Sequence, residues 1–156
     1  MGISPARWET LYRQAFPVVY RAVVAVTLDR EMALDALQDA FVEGLRRPPA
    51  TDQNLIGWVY RVALRKARRS RGRAGAVQLR AVPAEDGRLS AALDALEVGR
   101  LLDVLTHRQR VVIVAHYFLG LTQLEIAEQL GIKRGTVGAT ITQSLSRMRR
   151  EAGHVR

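Results

Sequence analysis

Apolar residues recur along most of the chain at intervals of three and four, the spacing of an amphipathic helix. In "PARWETLYRQAFPVVYRAVVAVTL" the inward positions are Trp8, Leu11, Phe16, Val19, Val23 and Val26. Pro17 is expected to kink this segment or to start a new helix. "DREMALDALQDAFVEGLRR" follows, with Asp29 placed to cap it and Leu34, Leu37, Phe41 and Leu45 as its core stripe. Pro48 and Pro49 cannot continue that helix, and Asp52 or Asn54 is placed to cap the next one. This third segment, "LIGWVYRVALRKARRSR", turns Leu55, Trp58, Val59 and Val62 inward. Residues 72–88 lose the periodicity and collect Gly, Pro and Ala, as an interdomain linker does.

Beyond the linker, "LSAALDALEVGRLLDVL" reads as helix to Leu105. Two capping boxes come next: Thr106 with Gln109 opens "HRQRVVIVAHYF", and Thr122 with Glu125 opens "QLEIAEQL". Gly120 and Gly131 stop these helices, and "RGTVGATITQSLSRMRRE" is the last one. No strand alternation or internal repeat is visible. The expected fold is all-α: two small helical domains, 1–71 and 89–156, on a flexible linker. Ala127, Gly131 and Val137 mark a helix-turn-helix in the second domain. The small residue allows the helices to cross, the glycine supplies a positive φ in the turn, and the valine locks the second helix. Val137, Ile141, Leu145 and Met148 form that helix's expected buried face. Thr136, Gly138, Ala139, Thr140, Gln143 and Arg147 are then left to face a DNA groove. Gln suits an adenine edge, and Thr and Ala suit a thymine methyl. Lys133 and Arg134 can hold phosphate at the helix start, with Thr122 and Arg110 as further contacts.

Charge sharpens this picture. The net charge is +9, but residues 1–60 carry six basic and seven acidic groups, whereas 61–80 carry eight basic and none acidic. Residues 133–156 form a second basic block. Two segregated basic blocks suit two contacts with a polyanion. Arg61, Arg65, Arg68 and Arg69 share one face of the third helix, with Trp58 and Tyr60 a turn earlier, a combination suited to nucleic acid. For Trp58 a plain core role is favoured over stacking on bases. On the second helix, Glu31, Asp35, Asp39 and Glu43 repeat every fourth residue. Like charges at that spacing cost roughly 0.2–0.5 kcal/mol per pair, which a basic partner docking there would offset.

Other classes find little support. With no cysteine there is neither disulfide nor thiolate metal site. His107, His116 and His154 have no metal-ligand spacing, and no phosphate loop or nucleophile motif appears, so neither an enzyme nor a cofactor is expected. The start of the chain lacks the apolar stretch of a signal peptide, and no run approaches a membrane span, so a cytoplasmic location is expected.

In this order, the motifs resemble the extracytoplasmic-function group of bacterial sigma factors, the promoter-recognition subunits of RNA polymerase. "DALQDAF" is similar to that family's polymerase-binding helix and "GWVYRVA" to its promoter −10 helix. "LTHRQRVVIVAHYFLGLTQLEIAEQLGIKRGTV" is similar to its −35 domain. The resemblance implies core polymerase binding through Glu31, Asp35, Gln38, Asp39 and Glu43, and −10 contacts from Trp58, Tyr60, Arg61, Arg65, Arg68 and Arg69. It implies promoter DNA and often an anti-sigma protein as partners, with the free chain monomeric. Two departures stand out. Leu64 and Arg65 replace a common Arg-Asn, and Thr136–Ile141 replaces Thr-Val-Lys-Ser-Arg-Leu, which removes two cations from the recognition helix. Binding at −35 is therefore expected to be weaker and less salt-dependent. A sigma-like adaptor without −35 reading and a stand-alone helix-turn-helix regulator are the alternative readings.

Overall fold

The computed structural model describes residues 2–74 and 98–154, and every regular element among them is helical. Helix α1 (Pro5–Thr27) starts with Pro5 in the first turn and the Ser4 hydroxyl accepting from the Arg7 amide at 3.2 Å. It runs through Pro17 as one helix, so the proline does not start a new one. Pro17 is exposed, so the carbonyl that it deprives of a partner can turn to water. The helix ends at Leu28, a non-glycine residue in the left-handed region (φ 57°). Asp29 then caps α2 (Arg30–Arg46) by accepting from the Met32 amide at 3.0 Å.

Helix α3 (Leu55–Ala74) is capped by Asn54, whose Oδ1 accepts from the Gly57 amide at 3.0 Å. It extends three residues past the expected boundary at 71, and the rest of the expected linker lies outside the described residues. Among the described residues, helix α4 covers 98–103. Helix α5 (His107–Ile113) widens into a π turn over Val114–Phe118, and α6 (Gln123–Leu130) and α7 (Arg134–His154) complete the chain. Both predicted capping boxes are formed, each worth about 1 kcal/mol. Gly120 and Gly131 have the positive φ values, 70° and 65°, that the turns demand.

The core of the first half is built on α2, but not on the expected stripe. Leu37 and Phe41 are buried, whereas Leu34 and Leu45 are 38% and 62% exposed. Ala33, Ala36, Ala40 and Gly44 take the inward positions instead, because the neighbouring helices approach too closely for leucine. Gly44 shows this most clearly. The indole of Trp8 in α1 occupies the space that a side chain at 44 would need and donates its N–H to the Gly44 carbonyl at 2.6 Å. The Trp8 ring also packs on Phe41 and Trp58.

In the second half Val111, Val112, Ile113, Ile126, Ala127, Val137 and Ile141 form the core, continuous with that of the first half. Polar contacts also join the halves. The Tyr60 hydroxyl of α3 donates to the Val111 carbonyl at 2.8 Å. The last turn of α1 contains no basic residue, yet its carbonyls attract cations from elsewhere. Arg71 of α3 donates to the Thr27 carbonyl at 2.6 Å, and Arg110 of α5 reaches the Val26 carbonyl at 3.4 Å.

Candidate nucleic-acid interface

The predicted acidic stripe on α2 divides in two. Glu31, Asp35, Gln38 and Asp39 are exposed, beside the exposed apolar side chains of Leu34 and Val42. Glu43 is half-buried and faces α3, where it pairs with Arg65 at 2.9 Å and Lys66 at 2.8 Å. The hydrogen bond from Lys66, with the charges of Lys66 and Arg65 behind it, holds the Glu43 carboxyl below the usual carboxylate range. Part of the basic partner expected from outside is thus supplied by the chain itself. Between α2 and α3 lies a cleft of about 360 Å³ with Asp35 and Asp39 on one wall, Lys66 and Arg69 on the other, and Met32 and Ala36 among its lining.

The basic face of α3 also divides. Arg65, Arg68 and Arg69 are exposed. Arg61 is half-buried and donates to Gln129 of α6 at 3.1 Å. Trp58 is half-buried against Trp8, in keeping with its core alternative. Tyr60, expected to face nucleic acid, is only 2% exposed. Its ring sits in the core and its hydroxyl is taken by Val111, and burial pushes the phenol's pKa far up. In this arrangement it cannot meet a base.

The helix-turn-helix has the predicted frame. Ala127 is buried at the crossing of α6 and α7, Gly131 ends α6 in the left-handed conformation, and Val137 is fully buried. Thr122, Lys133, Arg134, Thr136, Ala139, Gln143 and Arg147 are exposed, and Gly138 is half-buried. Thr140 corrects the expected groove face: it is 8% exposed and donates its hydroxyl to the Thr136 carbonyl at 2.7 Å. Ser144, fully buried, does the same to Thr140 at 2.6 Å. A hydroxyl satisfied by its own helix can be buried cheaply. The inward face therefore runs Val137, Thr140, Ile141 and Ser144, with Leu145 and Met148 only half-buried.

Arg110 is also displaced from the expected set, since its guanidinium is drawn to the end of α1 with Nε buried and unbonded. Arg147 donates to Gln109 at 3.0 Å, tying α7 to α5. Gln109, singled out in the sequence only as a capping residue, and Gln129, not singled out at all, thus each hold an arginine of the candidate interface. Nothing in their local pattern signalled it, because each acts on a residue distant in the chain.

The sigma-70 region 4 family matches residues 95–148. The sigma factor SigL of Mycobacterium tuberculosis, described as an ECF RNA polymerase sigma factor, is 26% identical over 92% of this chain and 88% of its own. Sigma factor SigF of the same organism is 36% identical over 74 residues, which cover 45% of this chain and 28% of SigF. Among solved structures, the sigma factor RpoE of Bartonella quintana, crystallised with the anti-sigma factor NepR, superposes with a TM-score of 0.75 at 18% identity. That match covers 95% of this chain and 98% of RpoE. CnrH, solved with the cytosolic domain of CnrY, gives 0.73 at 20% identity over 97% and 90%. Residues 95–148 thus match sigma-70 region 4, and over nearly its whole length the chain is similar to a sigma factor of the extracytoplasmic-function group.

The region 4 match contains both capping boxes and both left-handed glycines, so the local signals that set these helix ends lie inside the matched residues. The match also spans the uncharged stretch Gly135–Ala139. The chain therefore has the frame of region 4 with an uncharged stretch at the start of α7. None of its described helices is long and apolar enough to cross a membrane.

Proposed function

We propose that this chain is a sigma factor that docks on core RNA polymerase through the exposed part of α2 and positions promoter DNA with its two basic blocks. Glu31, Asp35, Gln38 and Asp39 would make the polymerase contact, flanked by Leu34 and Val42. Glu43 would serve mainly to hold α3 against α2. Arg65, Arg68 and Arg69 would follow the −10 strand, and Lys133, Arg134, Thr136, Ala139 and Gln143 would meet the −35 element. The two halves, separated by the linker, would act as a −10 domain and a −35 domain in the bacterial cytoplasm. An anti-sigma protein that covers these surfaces would regulate them, as the complex of RpoE with NepR suggests.

The observation that carries this reading is the exposure of Asp35 and Asp39 beside exposed apolar residues, on the helix packed directly against the arginines of α3. Such a face is costly to leave bare and is complementary to a basic partner. Its test is core binding by the Asp35→Lys/Asp39→Lys variant, together with transcription from a random promoter library. Loss of core binding with an unchanged helical spectrum is the expected result; retained binding refutes the assignment of α2.

A second reading, the adaptor, is favoured by one feature: Gly135, Thr136, Gly138 and Ala139 bring no positive charge to the start of the recognition helix. Core binding by the unaltered protein without any selected start site would decide for it.

A further inference from the structure

Helix α6 presents its first residue, Gln123, to the edge of the outward face of α7. A Cβ built on Gly138 would lie 3.2 Å from Gln123 Oε1, inside ordinary contact, and 3.9 Å from its Cδ. The Gln123 side chain therefore lies over the bare backbone of Gly138, in space that a side chain at 138 would claim. Gln123 is half-buried, and its amide bonds to none of the described residues. On α7, Thr136, Ala139 and Gln143 are exposed and uncharged.

We propose that Gln123 is a specificity-determining residue of the −35 interface, and that Gly138 is glycine to make room for it. This rests on the −35 reading given above. A glutamine amide offers one donor and one acceptor at the spacing of adenine N6 and N7, so it reads a base where a lysine would only hold a phosphate. The family's usual lysine at position 138 would displace it. The missing cation is then one half of an exchange, in which a charge on α7 has been given up for a base-reading amide on α6. Polymerase binding elsewhere on the chain supplies the affinity that the lost cation no longer gives.

The test uses holoenzyme formed with the full chain, promoter selection from a random −35 library, and equilibrium binding to the selected promoter over a salt series. Gln123→Ala is expected to flatten the preference at one base pair and to weaken binding to the selected sequence about tenfold to a hundredfold. The salt slope should stay unchanged, because no phosphate contact is removed. Gly138→Ala needs only to push aside the flexible end of Gln123, so it should fold normally and alter the preference at the same base pair. Unchanged base preference in Gln123→Ala overturns the proposal, whether affinity holds or falls uniformly with a shallower salt slope. An unaltered chain that selects no −35 sequence overturns the −35 reading and the proposal with it, and is told apart because the variant plays no part in that result.

Discussion

Replacing Gly44 by alanine tests how α1 is held to α2. In an open helix the change would stabilise by about 1 kcal/mol. Here the new Cβ would fall 1.8 Å from Trp8 Cζ2, and ordinary contact begins at 3.4 Å, so the indole must move by about 1.6 Å. Trp8 is a rigid ring, 3% exposed, wedged between Phe41 and Trp58. Moving it also lengthens or breaks the 2.6 Å hydrogen bond to the Gly44 carbonyl, whose net worth is about 1 kcal/mol. Full ejection of a buried tryptophan, at about 150–250 Å², forfeits roughly 4–6 kcal/mol. Partial displacement, offset by the helix-propensity gain, leaves a net loss of about 2–4 kcal/mol. Urea unfolding followed by far-ultraviolet circular dichroism measures it directly, and tryptophan fluorescence reports the displaced ring. In a Trp8→Ala background the same Gly44→Ala change should cost nothing or stabilise slightly, which isolates the collision. A Gly44→Ala protein as stable as its parent, with tryptophan emission unchanged, would refute the packing argument.

Removal of one hydroxyl in Tyr60→Phe should cost about 0.5–1.5 kcal/mol in urea unfolding. The lower end applies because Val111 also accepts from the Val114 amide. The depressed Glu43 pKa contributes stability that is full above its ordinary value of 4.5 and is lost as pH falls through the lowered folded value. Glu43→Gln should therefore cost about 1 kcal/mol near neutrality and shrink the loss of stability below pH 4.5, measured by denaturation at a series of pH values. Gly131→Ala, at φ 65°, should destabilise by about 1 kcal/mol in thermal melts, whereas Gly135→Ala within α7 should stabilise by a similar amount.

The second half was the more legible in the sequence. Its helix ends are set by residues three or four apart, such as Thr122 with Glu125, and a left-handed glycine acts on its own turn. Those signals are local, and the structure follows them. What depends on how closely two helices approach was not legible. The apolar pattern of α2 favoured Leu34 and Leu45, yet close packing selected Ala33, Ala36, Ala40 and Gly44 for the interior. Its polar side chain placed Thr140 outward although it stands three residues after Val137, and its hydroxyl bond to Thr136 lets it sit inside. Charge spacing revealed the acidic stripe as a stripe, but only the placement of α3 separated Glu43 from Asp35 and Asp39. Pairings such as Arg61 with Gln129 and Tyr60 with Val111 join residues 68 and 51 positions apart, beyond the reach of any local pattern.

The end of α1 carries a further consequence. Its two last carbonyls are satisfied from opposite directions, Thr27 by α3 and Val26 by α5, so the amide protons of that turn report on both halves at once. An excised fragment ending at residue 74 would keep the Arg71 contact and lose Arg110. Its α1 would then fray from the C-terminal end, and hydrogen exchange there would speed up while the turn around Trp8 stayed protected. That single turn is a built-in gauge of whether the two halves of the chain are in contact, readable by exchange without any label or partner.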